Sequence, residues 1–191
     1  RYAGFCESYP QLLSGNIRDP GFHARLMEEI PRYLEHERAI RGWLNGRPEA
    51  IVFCHWNANI DNAWFWRDAG GALRCGLIDW GRVGQMNVAS ALWGSLSGAE
   101  TSLWDAHLGD LLGVFAGEFA AAGGGTLDVD DLRLQLELLV ALNGICWLLD
   151  TVPLILREIP DLSTARDRFD PRILDSELAR TQLHMLTVFM N

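Results

Sequence analysis

The 191-residue chain contains no lysine: all 16 of its basic residues are arginine. This excludes a Walker-type phosphate loop, whose Lys reaches the β- and γ-phosphates, and any segment that anchors a nucleotide through a strand Lys. Cysteine is sparse. Cys6, Cys54, Cys75 and Cys146 are far apart, with no C-x-x-C pair and no His at zinc-ligand spacing, so no zinc module is predicted. Cys54 and Cys75 lie in apolar stretches and read as small buried hydrophobes. The expected compartment is a reducing cytoplasm. Positive charge is also short. A formal net charge of −9 argues against nucleic acid as a partner, which wants a basic face. It is compatible with a cationic substrate, with plain solubility as the blander reading. No uninterrupted apolar run reaches the ~18 residues of a membrane span, so no membrane partner is expected. The opening Arg1-Tyr2-Ala3-Gly4 has neither an initiator Met nor the apolar core of a signal peptide, and reads as a cut inside a longer chain.

What remains is globular composition, about half apolar and a fifth charged. Residues 1–18 read as irregular or short-helical, with a turn at Ser14-Gly15-Asn16. Asp19-Pro20 opens a helix whose apolar positions keep helical spacing to about residue 45; Pro31 should kink or divide it. Residues 51–54 and 63–66 are strand candidates. Asp68-Ala69-Gly70-Gly71 is turn chemistry, and 73–78 completes a hairpin with 63–66, the one clear β region. The rest reads as helix: small apolar residues at 87–98, then a capping box at Ser102-Leu103-Trp104-Asp105 opening a helix to about Ala122. Gly123-Gly124-Gly125 forms a linker, Asp128 caps an apolar helix running through Leu149, and a last helix spans about 173–190. Trp64 and Trp66 read as core and hairpin packing in preference to a stacking platform for a base, and Trp93, Trp104 and Trp147 as core. Glu35-His36-Glu37 reads as solvated surface, because adjacent helical positions do not share a face.

Chemistry concentrates in residues 51–81. A short strand leads into His55-Trp56-Asn57-Ala58-Asn59-Ile60-Asp61-Asn62; a hairpin follows, and its second strand ends at Ile78-Asp79-Trp80-Gly81. Mg²⁺ takes hard oxygen ligands and keeps several waters, so one carboxylate (Asp79) and one amide carbonyl (Asn62) suffice beside phosphate oxygens. The hairpin can bring the two together across 17 positions. Gly81 would permit a sharp turn after the ligand, and His55 would brace the loop on nearby backbone. Each has a blander reading: His55 as a core histidine at a strand end, Asp79 and Asn62 as turn residues, Asn57 and Asn59 as Asx-type loop residues.

This order resembles the catalytic and metal-binding segments of the aminoglycoside phosphotransferase and choline kinase group of small-molecule kinases. The loop is similar to their H-G-D-x-x-x-x-N, and Ile78-Asp79-Trp80-Gly81 to their metal segment. The resemblance implies an α+β, mainly helical fold. Residues 1–191 would form a single C-terminal lobe of a protein-kinase-like phosphotransferase: a helical lead-in (1–50), the catalytic loop, hairpin and metal Asp (51–81), and a helical substrate-binding region (82–191). The nucleotide lobe of the same chain would be missing. It implies ATP and Mg²⁺ as cofactors, a small-molecule alcohol as substrate, Asn62 and Asp79 as metal and cofactor ligands, and His55 as the loop brace. Asn57 falls where the family carries the Asp that accepts the hydroxyl proton, and Trp56 where it carries Gly. An amide cannot act as a general base. Asn57 therefore reads either as a weak orienter of the acceptor or as an inactive structural replacement, and the chain either as part of an enzyme or as a kinase-like binding module. Asp61 lies at the wrong offset to substitute. Glu118, Glu137, Asp150 and Glu158 could line a pocket for an amino-bearing substrate or could be ordinary surface charge.

Overall fold

The computed structural model describes residues 2–191. It is mainly helical, with two small antiparallel sheets. The chain divides into two compact units, Arg1–Arg38 with Val140–Asn191, and Ala39–Leu139.

The first unit is all helical. It contains α1 (Tyr2–Ser8), most of α2 (Pro20–Asn45), the end of α5 (Val129–Cys146), α6 (Val152–Glu158), α7 (Pro171–Asp175) and α8 (Glu177–Met190). On α8, Ala179, Leu183, Leu186 and Met190 recur at helical spacing and are buried; they join Phe5, Leu12, Ile17, Ile155 and Leu162 in one apolar cluster. Asp19 accepts the Phe22 N–H at 3.1 Å where α2 begins. Pro31 does not divide α2, which runs unbroken through it. Position 31 is exposed, so the Met27 carbonyl left without its helical donor can be met by water. The final helix is two helices, because Ser176 adopts an extended backbone and caps α8 through the Ala179 N–H.

The second unit carries the sheets and the loop. Its strands are β1 (Ile51–Cys54), β2 (Ala63–Arg67), β3 (Leu73–Leu77) and β4 (Gly84–Asn87). They are followed by α3 (Ala89–Leu96), α4 (Thr101–Ala121) and the first part of α5. The β2–β3 hairpin forms in register Ala63↔Leu77 to Arg67↔Leu73. Asp68 builds its turn: Oδ1 accepts from the Gly70 and Ala72 N–H groups at 3.0 Å and Oδ2 from Arg74 Nε at 2.7 Å, with Gly71 at φ 82°. The Arg74 contact, followed by the backbone donors, holds the Asp68 carboxyl below the usual aspartate range.

Strand β4 was not expected. It pairs antiparallel with β1, from Ile51↔Asn87 to Cys54↔Gly84. Its last residue, Asn87, is buried and donates to the Leu44 carbonyl (2.8 Å) and to Gln135 Oε1 (2.7 Å), while its own Oδ1 accepts the Ala89 N–H. Gln135 donates on to Asp131 Oδ2, which also receives Arg47 Nη2 at 2.6 Å. A continuous polar chain thus satisfies every buried amide in it and ties β4 to the end of α2 and the start of α5.

Other expectations are corrected locally. Helix α4 starts at Thr101, preceded by an extended Glu100 that makes no capping bond, so Ser102 and Asp105 do not form a capping box. Asp128 does cap α5, accepting the Asp131 N–H at 2.9 Å. Cys54 is buried, and burial pushes its thiol up, but Cys75 is exposed on the hairpin; none of the four cysteines is in a disulfide. Trp93 is buried, whereas Trp147 is exposed. The helical stretch Val129–Asp150 is long and apolar enough to cross a membrane by length and composition alone, although charged residues interrupt it. Here its Leu132, Gln135 and Leu136 are buried.

Candidate active site

The site lies wholly within the second unit. Strand β1 ends at Cys54 and delivers His55, which is buried. His55 Nε2 donates to the Ile78 carbonyl at 2.8 Å; because that partner can only accept, the bond fixes the proton on Nε2. The ring also meets Trp80 edge-on at 4.9 Å. The bond ties the start of the loop to the residue before Asp79.

The other end of the loop is tied by the hairpin. The Ile78 N–H donates to the Asn62 carbonyl at 2.9 Å, continuing the β2–β3 ladder by one step. Asn62 therefore stands opposite Ile78, one residue from Asp79. Its side chain turns back, Nδ2 donating to the Asn57 carbonyl at 2.8 Å. That bond uses one of the two amide N–H groups, and Asn62 Oδ1 has no partner among the described residues.

Asp79 is the single non-glycine residue at positive φ among the described residues (φ 58°, ψ 53°). This left-handed conformation costs an L-residue roughly 1–2 kcal/mol, with Asp among the more tolerant types. The sharp turn expected at Gly81 is thus made at Asp79 itself. Its carboxylate is exposed, makes no capping bond, and has no hydrogen-bonding partner among the described residues. Trp80 Nε1 anchors the following turn on the Leu77 carbonyl at 2.8 Å.

Inside the loop, Asn59 bonds twice. Its Oδ1 accepts the Asp61 N–H at 3.0 Å, and its Nδ2 donates to Asn57 Oδ1 at 3.0 Å. The structure also adds a residue that sequence reasoning did not single out. A Cβ on Gly94, in α3, would collide with the Trp56 carbonyl and stand 3.0 Å from the Asn57 N–H nitrogen. Helix α3 therefore buttresses the loop backbone at a point where only glycine fits. The small residues Ala89, Ser90, Ala91, Gly94 and Ser95 in this helix were the available signal.

The hairpin around this site is apolar and exposed. Trp64 is 65 % and Trp66 45 % accessible, so the expectation that both pack into a core is corrected; Phe53, Ile60, Ile78 and Trp80 are exposed as well. Glu118, Glu137, Asp150 and Glu158 are all exposed, Glu137 paired with Arg133 at 3.0 Å. Among the described residues no cluster of three or more His, Cys, Asp or Glu side chains could hold a metal. One amide oxygen and one carboxylate could still serve Mg²⁺, which draws its remaining ligands from phosphate and water. No protein-family model, curated protein or solved structure matches the chain.

Proposed function

We propose that this chain carries the metal-binding and acceptor-orienting part of an ATP-dependent phosphotransferase that acts on a small-molecule hydroxyl. We read its fold as the C-lobe of a protein-kinase-like enzyme of the aminoglycoside and choline phosphotransferase type. One observation carries the reading: the hairpin brings Asn62 and Asp79 to the same end of β2 and β3, with Asn62 Oδ1 and the Asp79 carboxylate both without partners among the described residues. The left-handed backbone at Asp79 supports it, since strain of this kind concentrates at functional positions.

In this reading Asn62 and Asp79 hold Mg²⁺ on the ATP phosphates; when bound, the ion offsets charge on the group being transferred. His55 keeps the loop and the Asp79 segment in one rigid frame through the Ile78 carbonyl. Asn57 orients the acceptor. The acceptor oxygen forms its bond to the γ-phosphorus as the bond to the bridging oxygen of ADP breaks, and the hydroxyl proton leaves to solvent, because an amide cannot take it. A nucleotide-anchoring lobe with a Lys is required and is not supplied by these residues. The exposed aromatic hairpin offers such a lobe, in the same polypeptide, an apolar surface to cover. Four cysteines with no disulfide between them accord with a cytoplasmic setting.

The test is ATP-dependent phosphorylation of a panel of sugars, aminoglycosides, choline-like alcohols and sterols by the natural full-length protein. Transfer that disappears in Asp79→Ala is expected. Transfer indifferent to that substitution would overturn the assignment. A second reading, a kinase-like binding module, is favoured by the amide at position 57; nucleotide-dependent stabilisation with no transfer to any acceptor would select it.

A further inference from the structure

The two strands of the β2–β3 hairpin have unequal edges. The Ile78 N–H donates to the Asn62 carbonyl at one end of the ladder and the Asp68 N–H to the Ala72 carbonyl at the other. By alternation, residues 64 and 66 bond to their β3 partners, and residues 63, 65 and 67 turn their N–H and C=O groups outward, as do 73, 75 and 77 on β3. The sheet has two strands, so both rows lie on its edges. Trp80 guards the β3 row: its Nε1 donates to the Leu77 carbonyl at 2.8 Å. On β2 the Ala63 N–H returns to the Ile60 carbonyl of its own turn, but the outward groups of Phe65 and Arg67 meet no partner among the described residues. Exposed edges are ordinarily blunted by Lys, Pro, a bulge or an inward charge. Ala63-Trp64-Phe65-Trp66-Arg67 pairs in unbroken register, contains neither Lys nor Pro, and carries its one charge at the end.

We propose that the β2 edge pairs with the same edge of a second copy of this chain, antiparallel about a two-fold axis at Phe65, to give a four-stranded sheet. The strand is self-complementary in that register, as a two-fold interface requires. Phe65 meets Phe65 of the second copy and exchanges N–H and C=O with it, while the Arg67 N–H reaches the Ala63 carbonyl. Trp64 stands opposite Trp66 twice, at the closely spaced positions that favour cross-strand aromatic pairs. Arg67 faces Ala63, so no charge opposes a like charge. A slip of two residues either way leaves two of the five positions in each strand unpaired. Charge also favours this surface. Residues 63–77 carry Arg67, Arg74 and Asp68, so the excess negative charge of the chain lies elsewhere and two copies repel least through the hairpin. Trp64, Phe65 and Trp66 together expose roughly 300 Å², at ~200 Å² for a whole aromatic side chain. A standard interface covers ~800 Å² on each partner, so the pair is weak and forms at roughly 0.1–1 mM. Pairing through an edge leaves room for a nucleotide lobe over a face of the widened sheet, and the inference does not rest on the phosphotransferase reading.

Sedimentation velocity of the 191-residue chain should show monomer passing to dimer as concentration rises from about 10 μM to about 1 mM. Amide hydrogen exchange of the same chain identifies the edge. Over that range the Phe65 and Arg67 amides should gain protection severalfold, and the Leu73 and Cys75 amides should not change. Phe65→Arg sets a charge against its own copy at the axis and should weaken association by about tenfold or more, with the monomer's circular dichroism retained. Phe65→Cys should link to its copy under mild oxidation, because the paired Cα atoms stand ~5.5 Å apart, within disulfide reach. Native Cys75 lies three strand spacings from its counterpart, ~14 Å, and should not link. Cys146→Ser in both backgrounds removes the other exposed thiol. Should Phe65→Arg fail to fold, the exchange measurement on the unaltered chain decides. A monomer at every concentration, protection that appears on β3 and spares Phe65, or a Cys75–Cys75 link would overturn the proposal.

Discussion

Asp79 is where the structural and functional demands separate most cleanly. Its left-handed backbone costs an L-residue roughly 1–2 kcal/mol, Asp lying at the lower end. Replacement by Gly removes that strain but enlarges the freedom of the unfolded chain, worth about 0.4–1 kcal/mol in the opposite sense. Asp79→Gly should therefore be neutral or up to about 1 kcal/mol more stable than the parent. Asp79→Asn should stay within a few tenths of it, since Asn also tolerates this conformation. Asp79→Ala should fall about 1 kcal/mol below the Gly variant, a difference of roughly 2–4 °C in melting temperature for a chain of this size. Magnesium at ten times its dissociation constant should stabilise the parent by about 1.4 kcal/mol, or roughly 3–6 °C, and should do so for none of the three variants. Thermal denaturation with and without Mg²⁺ reads both effects. A Gly variant destabilised by more than about 1 kcal/mol, with its Mg²⁺ response intact, would refute the reasoning by making Asp79 a structural residue.

Three further predictions follow from other parts of the fold. Gly94→Ala should cost roughly 1–3 kcal/mol by denaturant titration, because its Cβ meets the Trp56 carbonyl. Gly113→Ala, in α4 with open space around it, should gain about 0.5–1 kcal/mol; equal behaviour of the two would remove the buttress. If the proposed function holds, Asn57→Asp in the natural full-length protein should raise phosphate transfer by about 10²–10⁴-fold, Asn59 already being placed to donate to the new carboxylate, and an unchanged rate in a protein that binds Mg–ATP would deny position 57 a catalytic role. Because the Asp68 carboxyl is held below its ordinary value of 3.8 in the folded hairpin, its turn contributes above that value and is lost as pH falls through the lower, folded one. The Gly70 and Ala72 amide signals should stay native down to that point; loss near neutral pH would contradict the assignment.

The sequence announced those features that short-range chemistry fixes. Asp68 with Gly70 and Gly71 reads as a turn because one carboxylate can satisfy several nearby N–H groups, and the hairpin register follows from it. The hairpin in turn explains why Asn62 and Asp79, far apart in sequence, end near each other. Strand β4 was hidden because Gly84-Gln85-Met86-Asn87 has no β-branched alternation. It is a strand because β1 pairs with it and because buried Asn87 locks its end. The exposure of Trp64 and Trp66 was equally hidden, since apolarity alone does not say which surface is covered. Within the site, the residue types at 55, 57, 62 and 79 were visible, but the polarity of their amides was not. It depends on Asn59 bonding in both directions, a consequence of the folded loop and not of spacing.

The most direct test of the central claim replaces Mg²⁺ with paramagnetic Mn²⁺ and records which resonances broaden at low occupancy. Broadening centred on Asn62 and Asp79, displaced by excess Mg²⁺ and lost in Asp79→Asn, is the predicted result. Broadening spread over the exposed acidic residues of the helices, unchanged in that variant, would contradict the existence of a magnesium site at the base of the hairpin.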